Sequence, residues 1–336
     1  MAMVIHQTDA VIVGAGPVGL FAVFECGMLK IRCHVVDALE AAGGQCAALY
    51  PEKPIYDVPG HPQILAADLI ERLSAQAAPF HPVYHFGRTV VSLERLDDGR
   101  WRVGLSDGQA IEAMVVIIAA GVGAFGPNRP PLPGIEAYEG PGVSYLVTRR
   151  EDFRGKRVVI AGGGDSAVDW AVSLAELAEH VMVVHRRPKF RAAPDMVARM
   201  QGLPNVEMVV PYQLHGIEGE SGRLSAVSVA TLDGAVRRLA ADALLPFFGL
   251  ASDPGPIAQW GLEMERHAIL VRQQDCATSR PGIFAVGDIA QYPGKLKLIL
   301  TGFAEAASAA HAARAIVHPG EAHHFEHSTT SGVPTA

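Results

Sequence analysis

Three glycines near the N-terminus have the spacing of a loop that binds the phosphates of a dinucleotide. They are Gly14, Gly16 and Gly19, separated by small or apolar residues. The first permits a tight turn, the second lets the backbone approach a pyrophosphate, and the third lets a helix pack closely on a strand. Asp37, 23 positions after Gly14, offers a carboxylate that can accept hydrogen bonds from ribose hydroxyl groups. These residues predict a dinucleotide site.

The same spacing recurs in the middle of the chain, with the opposite charge at its end. Gly162-Gly163-Gly164-Asp165-Ser166-Ala167 repeats the loop with alanine as the last residue, and Arg186 and Arg187 follow His185, which lies 23 positions after Gly162. Guanidinium groups suit the 2′-phosphate of NADP, whereas an acid suits a free 2′-hydroxyl group; the alternative is a solvated basic cap on a strand. The two loops therefore indicate FAD and NADPH, the latter held by Gly162, Gly164, Asp165, Ser166, Arg186 and Arg187.

Each loop must lie between a strand and a helix to do this chemistry. Apolar runs predict strands before and after both helices, at 9–13, 32–36, 157–161 and 181–184. The first helix should run to about residue 29 and the second to about residue 178. A third unit, with a strand near 281–286 and a helix at 302–317, places Gly287 and Asp288 within reach of the ribityl chain or pyrophosphate of a flavin.

These elements predict an α/β fold with two Rossmann-like dinucleotide-binding domains, one for FAD and one for NADPH. Gly- and Pro-rich segments at 121–133 and 243–256 read as the outward and return linkers. The NADPH-binding domain, at 123–249, is therefore expected to be inserted into an FAD-binding domain formed by 1–122 and 250–336.

Composition excludes several other classes of protein. The net charge of −7 disfavours nucleic acid as a partner, although a local basic patch stays possible. The longest apolar run, 113–125, is too short for a membrane span of roughly 18–20 residues. The first lysine or arginine is Lys30, so the positively charged start of a secretory signal is missing. We therefore expect a cytoplasmic location. The histidines of the C-terminal tail lack carboxylate or cysteine partners at ligand spacing, so we predict no metal site.

The four cysteines decide between two kinds of reductase. They contain no C-x-x-C pair, which excludes a zinc ribbon and a dithiol redox motif. The chain resembles the two-dinucleotide-binding-domain flavoproteins, and within them the thioredoxin-reductase-like group, through GAGPVG at Gly14, GGQC at Gly43, GGGDSA at Gly162 and AVGD at Ala285. Thioredoxin reductases have a C-x-x-C where this chain has Leu146 and Arg149. It therefore resembles the ferredoxin-NADP reductases of the thioredoxin-reductase-like type, which lack that dithiol.

The resemblance implies more than the loops do. It implies a homodimer that exchanges electrons between NADPH and ferredoxin or flavodoxin through FAD, with no side chain acting chemically. Aromatic or histidine rings would cover the two faces of the flavin, and the matching positions are Tyr50 and His327. From the residues alone, Tyr50 could equally be a core or turn tyrosine. The positions carried over to FAD are Asp37, Gly44, Gln45, Tyr50, Val90, Phe125, Asp288 and Thr329.

Two other functions stay open at this level. One is an NADPH-dependent flavoprotein that reduces a separate redoxin, a quinone or a dye. The other, from a different class, is a non-catalytic nucleotide-sensing protein. An acidic ferredoxin would need a local basic surface, and Lys53, Lys295 and Lys297 are the candidates, unless they are ordinary solvated lysines.

Overall fold

Apolar strand-helix-strand runs build a parallel sheet in each of two units of the chain. The computed structural model describes residues 4–321 and Gly332. By its contacts the chain divides into a first unit, Met1–Phe125 with Ser252–Ala336, and a second unit, Gly126–Ala251. The segments that contain the boundaries, Ala124–Pro127 and Leu250–Asp253, are strands of one two-stranded sheet.

The first unit is built on a five-stranded parallel sheet. Its strands, in spatial order, are Ile283–Ala285, Val115–Ile118, Ala10–Val13, Cys33–Val36 and Val83–His85. Ala10–Val13 and Val115–Ile118 are buried at every position, as expected for a parallel sheet covered on both faces. The longer helices of the unit are Pro17–Met28, Ala66–Ala77 and Ile299–Val317, and a short helix spans Gly44–Ala48.

Smaller sheets complete the first unit. The largest has the order Ile5–Gln7, Ala110–Ala113, Trp101–Leu105 and Val90–Arg95, with its first pair parallel and the others antiparallel. A second contains Met264–Glu265, Ala268–Leu270 and Ala290–Gln291, and a third contains Pro54–Ile55 and Ile64–Leu65. Single 3₁₀ turns lie at Ala78–Phe80, Gly255–Gln259 and Gly287–Ile289.

The second unit repeats the parallel arrangement on a smaller scale. Its four strands, in order, are Val206–Val209, His180–Val184, Arg157–Ala161 and Ala243–Pro246. Its helices are Asp165–Leu174 and Pro194–Gln201, with 3₁₀ turns at Ile135–Tyr138 and Arg150–Phe153. An antiparallel sheet follows, made of Gln213–Glu220, Arg223–Ala230 and Val236–Ala240.

The predicted fold class is confirmed, and the differences concern element ends. The last helix begins at Ile299, three residues before the predicted start, because Leu298 adopts the extended backbone of an N-cap. The helix after the second loop ends at Leu174, earlier than expected. Among the helices of residues 4–321, none combines the length and the apolarity that crossing a bilayer requires.

Candidate functional site

A cavity of about 500 Å³ lies in the first unit at the carboxyl ends of the parallel strands. Its lining includes Val13, Val36 and Ala119, each at or just after the end of a strand, and Gly287, which follows a fourth. Ligands of open α/β sheets bind at this edge. The glycine loop and the predicted flavin segments both contribute to the wall, so the fold brings the first set of predicted residues together.

Two of the three loop glycines are required by packing inside the protein. Gly14 has φ +109°, and a Cβ there would lie 2.3 Å from the carbonyl oxygen of Ala119. A Cβ on Gly19 would lie 1.9 Å from the carbonyl oxygen of Gly14. Both distances are far below van der Waals contact. The turn and the close approach of helix to loop therefore exclude any side chain.

Gly16 is different, because the protein itself leaves room beside it. A Cβ there would meet only the Cα of Gly44, at 3.9 Å. Gly16 is the N-cap of helix Pro17–Met28, whose first turn has no acidic residue and no side-chain cap among the described residues. Free N–H groups and the positive end of the helix dipole favour an anion at this point. The open space in front of Gly16 fits a pyrophosphate.

Asp37 anchors the loop as well as facing the cavity. Its Oδ2 accepts a hydrogen bond from the Ala15 N–H at 2.6 Å, and its Oδ1 accepts one from the Leu39 N–H at 2.8 Å. Burial raises the pKa of the Asp37 carboxyl, and the two N–H donors oppose that rise. Each oxygen keeps a second lone pair for a ribose hydroxyl group. The anchoring role is one that the sequence did not reveal.

The segment 43–50 forms another part of the wall. The Gly43 N–H donates to the carbonyl oxygen of Ala15 at 2.8 Å, which docks this segment on the glycine loop. Gly44, Gln45 and Tyr50 line the cavity. The Tyr50 ring is half-buried, and burial raises the pKa of its hydroxyl group, so the ring is neutral. These features fit a flat aromatic ligand.

Cys46, which lines the cavity, has no second thiol beside it in the sequence and is unsuited to disulfide chemistry, and Cys26 and Cys33 interact with each other inside the buried core. All four are buried and free. Burial raises the pKa of Cys46 to about 11 and that of Cys276 to about 12, which keeps both as thiols at neutral pH. A second thiol of the C-x-x-C kind is absent from the sequence beside each of them. Within the described residues, no cluster of three His, Cys, Asp or Glu side chains could hold a metal ion.

Asp288 reaches the cavity from a turn that a buried glutamate holds. Glu305 Oε2 accepts the Gly287 N–H at 2.7 Å, and Oε1 accepts the Tyr292 hydroxyl at 2.6 Å and the Lys295 ammonium group. The side chains of Glu305 and Lys295 are only 5% and 2% exposed. The expectation that Lys295 belongs to a basic docking surface is therefore wrong, because its charge is buried and neutralised. Lys297 is exposed.

The remaining predicted flavin residues divide into two groups. Val90 is buried and lines the cavity. Phe125 lies in strand Ala124–Pro127, but its side chain is outside the description, and His327 and Thr329 lie outside the described residues altogether. Lys53 is half-buried, with Nζ 5.8 Å from the Tyr50 ring centroid.

The second unit has its own glycine loop at the start of helix Asp165–Leu174. A Cβ on Gly162 would lie 2.7 Å from the Phe247 carbonyl oxygen, and one on Gly163 would lie 2.3 Å from the His185 ring. A Cβ on Gly164, the N-cap, would meet nothing within 4 Å. As in the first unit, packing requires glycine at the first positions of the loop, here Gly162 and Gly163. Space is left beside Gly164, at the helix N-terminus.

Exposed arginines follow the next strand of this unit. Arg186 and Arg187 come directly after His180–Val184, and in the part of the chain that the structure describes neither pairs with a carboxylate. Arg191, which the sequence analysis missed, joins them because its N–H donates to the Gly163 carbonyl oxygen at 2.7 Å. Burial lowers the pKa of His185, and the three guanidinium groups add to this effect. The run of basic residues from Arg186 to Arg191 is the sequence signal from which Arg191 could have been predicted.

The chain is similar to known proteins of one family. Residues 8–314 match the pyridine nucleotide-disulphide oxidoreductase family. The chain is 72% identical over 332 residues to a ferredoxin–NADP reductase of Paramagnetospirillum magneticum, with 98% of each chain covered. It is 63% identical over 334 residues to a ferredoxin–NADP reductase of Rhodospirillum rubrum, with 98% of this chain and 97% of the other covered.

Solved structures support the same fold. The thioredoxin reductase of Lactococcus lactis has a TM-score of 0.81 at 25% identity and covers 92% of this chain and 99% of its own. The thioredoxin reductase of T. acidophilum has a TM-score of 0.82 at 24% identity, covering 92% of this chain and 98% of its own, and this likeness concerns the fold alone.

Proposed function

The chain belongs to the pyridine nucleotide-disulphide oxidoreductase family, and we propose that it is a flavoprotein that transfers electrons between NADPH and ferredoxin, or flavodoxin, through FAD. The observation that carries this proposal is the pair of open glycine loops with opposite charge beyond them. The strand that follows the first loop and its helix ends beside the half-buried carboxylate of Asp37, and the corresponding strand of the second unit is followed by the exposed Arg186 and Arg187. The names of the two relatives described above support the same function.

The residues of the first cavity fit FAD. The N–H groups at the start of helix Pro17–Met28 would bind the pyrophosphate beside Gly16, and Asp37 would accept from a ribose. Asp288 would face the ribityl chain, and the Tyr50 ring would stack on the flavin and exclude water from it. When bound, FAD would supply the redox chemistry, which is hydride acceptance from NADPH and one-electron transfer to the acceptor.

The second unit would bind NADPH. The helix that begins after Gly164 would receive the pyrophosphate, and Asp165 and Ser166 lie exposed in its first turn. Asp165 is also fixed in place, because its Oδ1 accepts the Ala193 N–H at 3.2 Å. Arg186 and Arg187 would hold the 2′-phosphate in forked hydrogen bonds.

The acceptor must take electrons without help from protein thiols. Leu146 and Arg149 stand where a dithiol would be needed, and the cysteines are buried. A direct electron carrier therefore fits this chain better than a disulfide substrate. Free cysteines also suit a reducing compartment, and we place the protein in the cytoplasm.

The proposal is tested by anaerobic titration of the purified protein with NADPH. The flavin absorbance should bleach with NADPH, respond weakly to NADH, and return when oxidised ferredoxin is added. A colourless protein, or a yellow one that NADPH leaves unchanged, would support a nucleotide-sensing role and contradict the electron-transfer function.

We also propose that the protein is a homodimer. Leu296 and Leu300 are 62% and 43% exposed within one short segment, and exposed leucines close together support a contact with a second copy of the chain. Leu296→Glu should therefore lower the sedimentation coefficient from that of a dimer toward that of a monomer. Leu232→Glu, at a leucine 89% exposed in a turn of the second unit, should not. A wild-type chain that sediments as a monomer would contradict the proposal.

The C-terminal tail is proposed to cover the flavin through His327. Truncation before His327 should leave FAD bound, because the glycine loop and Asp37 lie in the remaining chain. It should change the visible spectrum and the rate at which ferredoxin reoxidises the flavin. Unchanged absorbance and unchanged acceptor kinetics would mean that the tail does not reach the cofactor.

A further inference from the structure

We propose that Arg88 is an additional FAD-binding residue, which contacts the adenosine half of the cofactor and is held in place by Asp107 and His85. The inference rests on the proposed FAD site. Arg88 lines the same cavity as the glycine loop and Asp37, yet the sequence patterns do not point to it. Its side chain is one-third exposed, so it is accessible from the cavity.

Backbone hydrogen bonds place Arg88 at the Asp37 end of the cavity. The Asp37 N–H donates to the His85 carbonyl oxygen at 3.2 Å, and the Arg88 N–H donates to the Asp37 carbonyl oxygen at 3.1 Å. The Gly87 N–H donates to the Leu39 carbonyl oxygen at 2.9 Å. The segments 37–39 and 85–88 thus run side by side. A nucleotide whose ribose meets Asp37 would therefore lie beside the segment that carries Arg88.

Two partners restrain the guanidinium group of Arg88. Arg88 Nε donates to Asp107 Oδ2 at 2.5 Å, and Nη1 lies 3.4 Å from Nδ1 of His85. Asp107 itself accepts the Gln109 N–H at 3.0 Å, which restrains the carboxylate. Among the described residues, the Nη2 group makes no hydrogen bond or ion pair. It remains available to a ligand.

The histidine behind Arg88 has a defined protonation. Arginine only donates, so Nδ1 of His85 must accept from it, and Nε2 of His85 must carry the proton. That proton is donated to Nδ1 of His34, which lies 3.0 Å away. Burial lowers the pKa of His85, and burial together with the neighbouring histidines lowers the pKa of His34 to about 4. Both rings are therefore neutral at pH 7 and support the cation without repelling it.

The neighbouring wall explains why the contact is with adenosine. Val90, Ile257 and Trp260 line the cavity and are buried, giving an apolar surface suited to a purine ring. A planar guanidinium group complements such a ring through its face and through hydrogen bonds to ring nitrogens. FMN lacks the adenosine half, so it would not meet Arg88.

The test compares FAD with FMN on full-length chain freed of flavin and then reconstituted. For Arg88→Ala we expect the Kd for FAD to rise about tenfold to a hundredfold and the Kd for FMN to stay unchanged. Asp107→Asn should give a smaller rise for FAD alone, because Arg88 is still present but less restrained. The matched control is Arg32→Ala, which removes another Arg–Asp pair of the first unit outside the cavity and should change neither Kd.

Three outcomes would overturn the inference. An unchanged Kd for FAD in Arg88→Ala would show that Arg88 does not contact the cofactor. If Arg88→Ala lost affinity for FAD and FMN equally, the side chain would only maintain the fold. The same equal loss of affinity in Arg88→Gln would confirm that result. Wild-type chain that binds neither flavin would refute the proposed function, and the inference with it.

Discussion

Replacing Arg186 and Arg187 together by alanine is expected to weaken NADPH binding at least a hundredfold and to leave NADH almost unaffected. Each charge-assisted contact to a phosphate contributes about 1.5–3 kcal/mol, and two are removed. Both side chains are exposed and lack carboxylate partners in the described part of the chain. Their loss should therefore cost little stability and act on the 2′-phosphate alone.

The measurement is the KM for each coenzyme, with Arg237→Ala as the matched control. Arg237 belongs to the same unit and pairs with Glu207 at 2.6 Å, away from the glycine loop in the sequence. The control should leave the NADPH to NADH preference unchanged. Equal losses for both coenzymes in the double variant would refute the assignment of the 2′-phosphate site.

The second large effect concerns Glu305, whose replacement by alanine is expected to destabilise the protein by about 3–5 kcal/mol. The substitution leaves the Lys295 ammonium group buried without its counter-ion, since that side chain is 2% exposed. It also removes the acceptor of the Gly287 N–H and the Tyr292 hydroxyl. Because Gly287 precedes Asp288, FAD should dissociate more readily as well.

Urea denaturation of the flavin-free chain and flavin retention on dilution measure these two effects. Glu305→Gln keeps an acceptor oxygen, so it should lose less stability and less flavin than Glu305→Ala does. Glu321→Ala is the control, because the Glu321 side chain is 62% exposed and its partner Arg314, 3.2 Å away, keeps a hydrogen bond to the Leu29 carbonyl oxygen when Glu321 is removed. If the Glu305 and Glu321 variants lost the same stability, the buried network would not hold the turn.

Local patterns could be predicted from the sequence because their physics is local. The glycine loops are an example, since a Cβ on Gly19 would meet the carbonyl oxygen of Gly14 within the same loop. The strands next to them are continuous apolar runs, which a parallel sheet requires. The fold class could be predicted from these strand, loop and helix patterns.

What the sequence could not reveal depends on side chains brought together by folding. Lys295 looks like a surface lysine until Glu305, on a helix ten residues later, neutralises it. Arg191 returns to Gly163 through a single backbone hydrogen bond. Arg88 joins the cavity only because the 85–88 segment pairs with 37–39. Only the contact of Arg191 has a sequence signal, the basic run Arg186 to Arg191, and the other two have no spacing that a motif would capture.

The central claim is that electrons leave the flavin directly, without passing through a protein dithiol. Steady-state NADPH oxidation, measured with oxidised ferredoxin and separately with oxidised thioredoxin as acceptor, tests it most directly. We predict turnover that depends on ferredoxin concentration, while thioredoxin leaves the rate at the level seen without an acceptor. Turnover with thioredoxin and none with ferredoxin would contradict the claim.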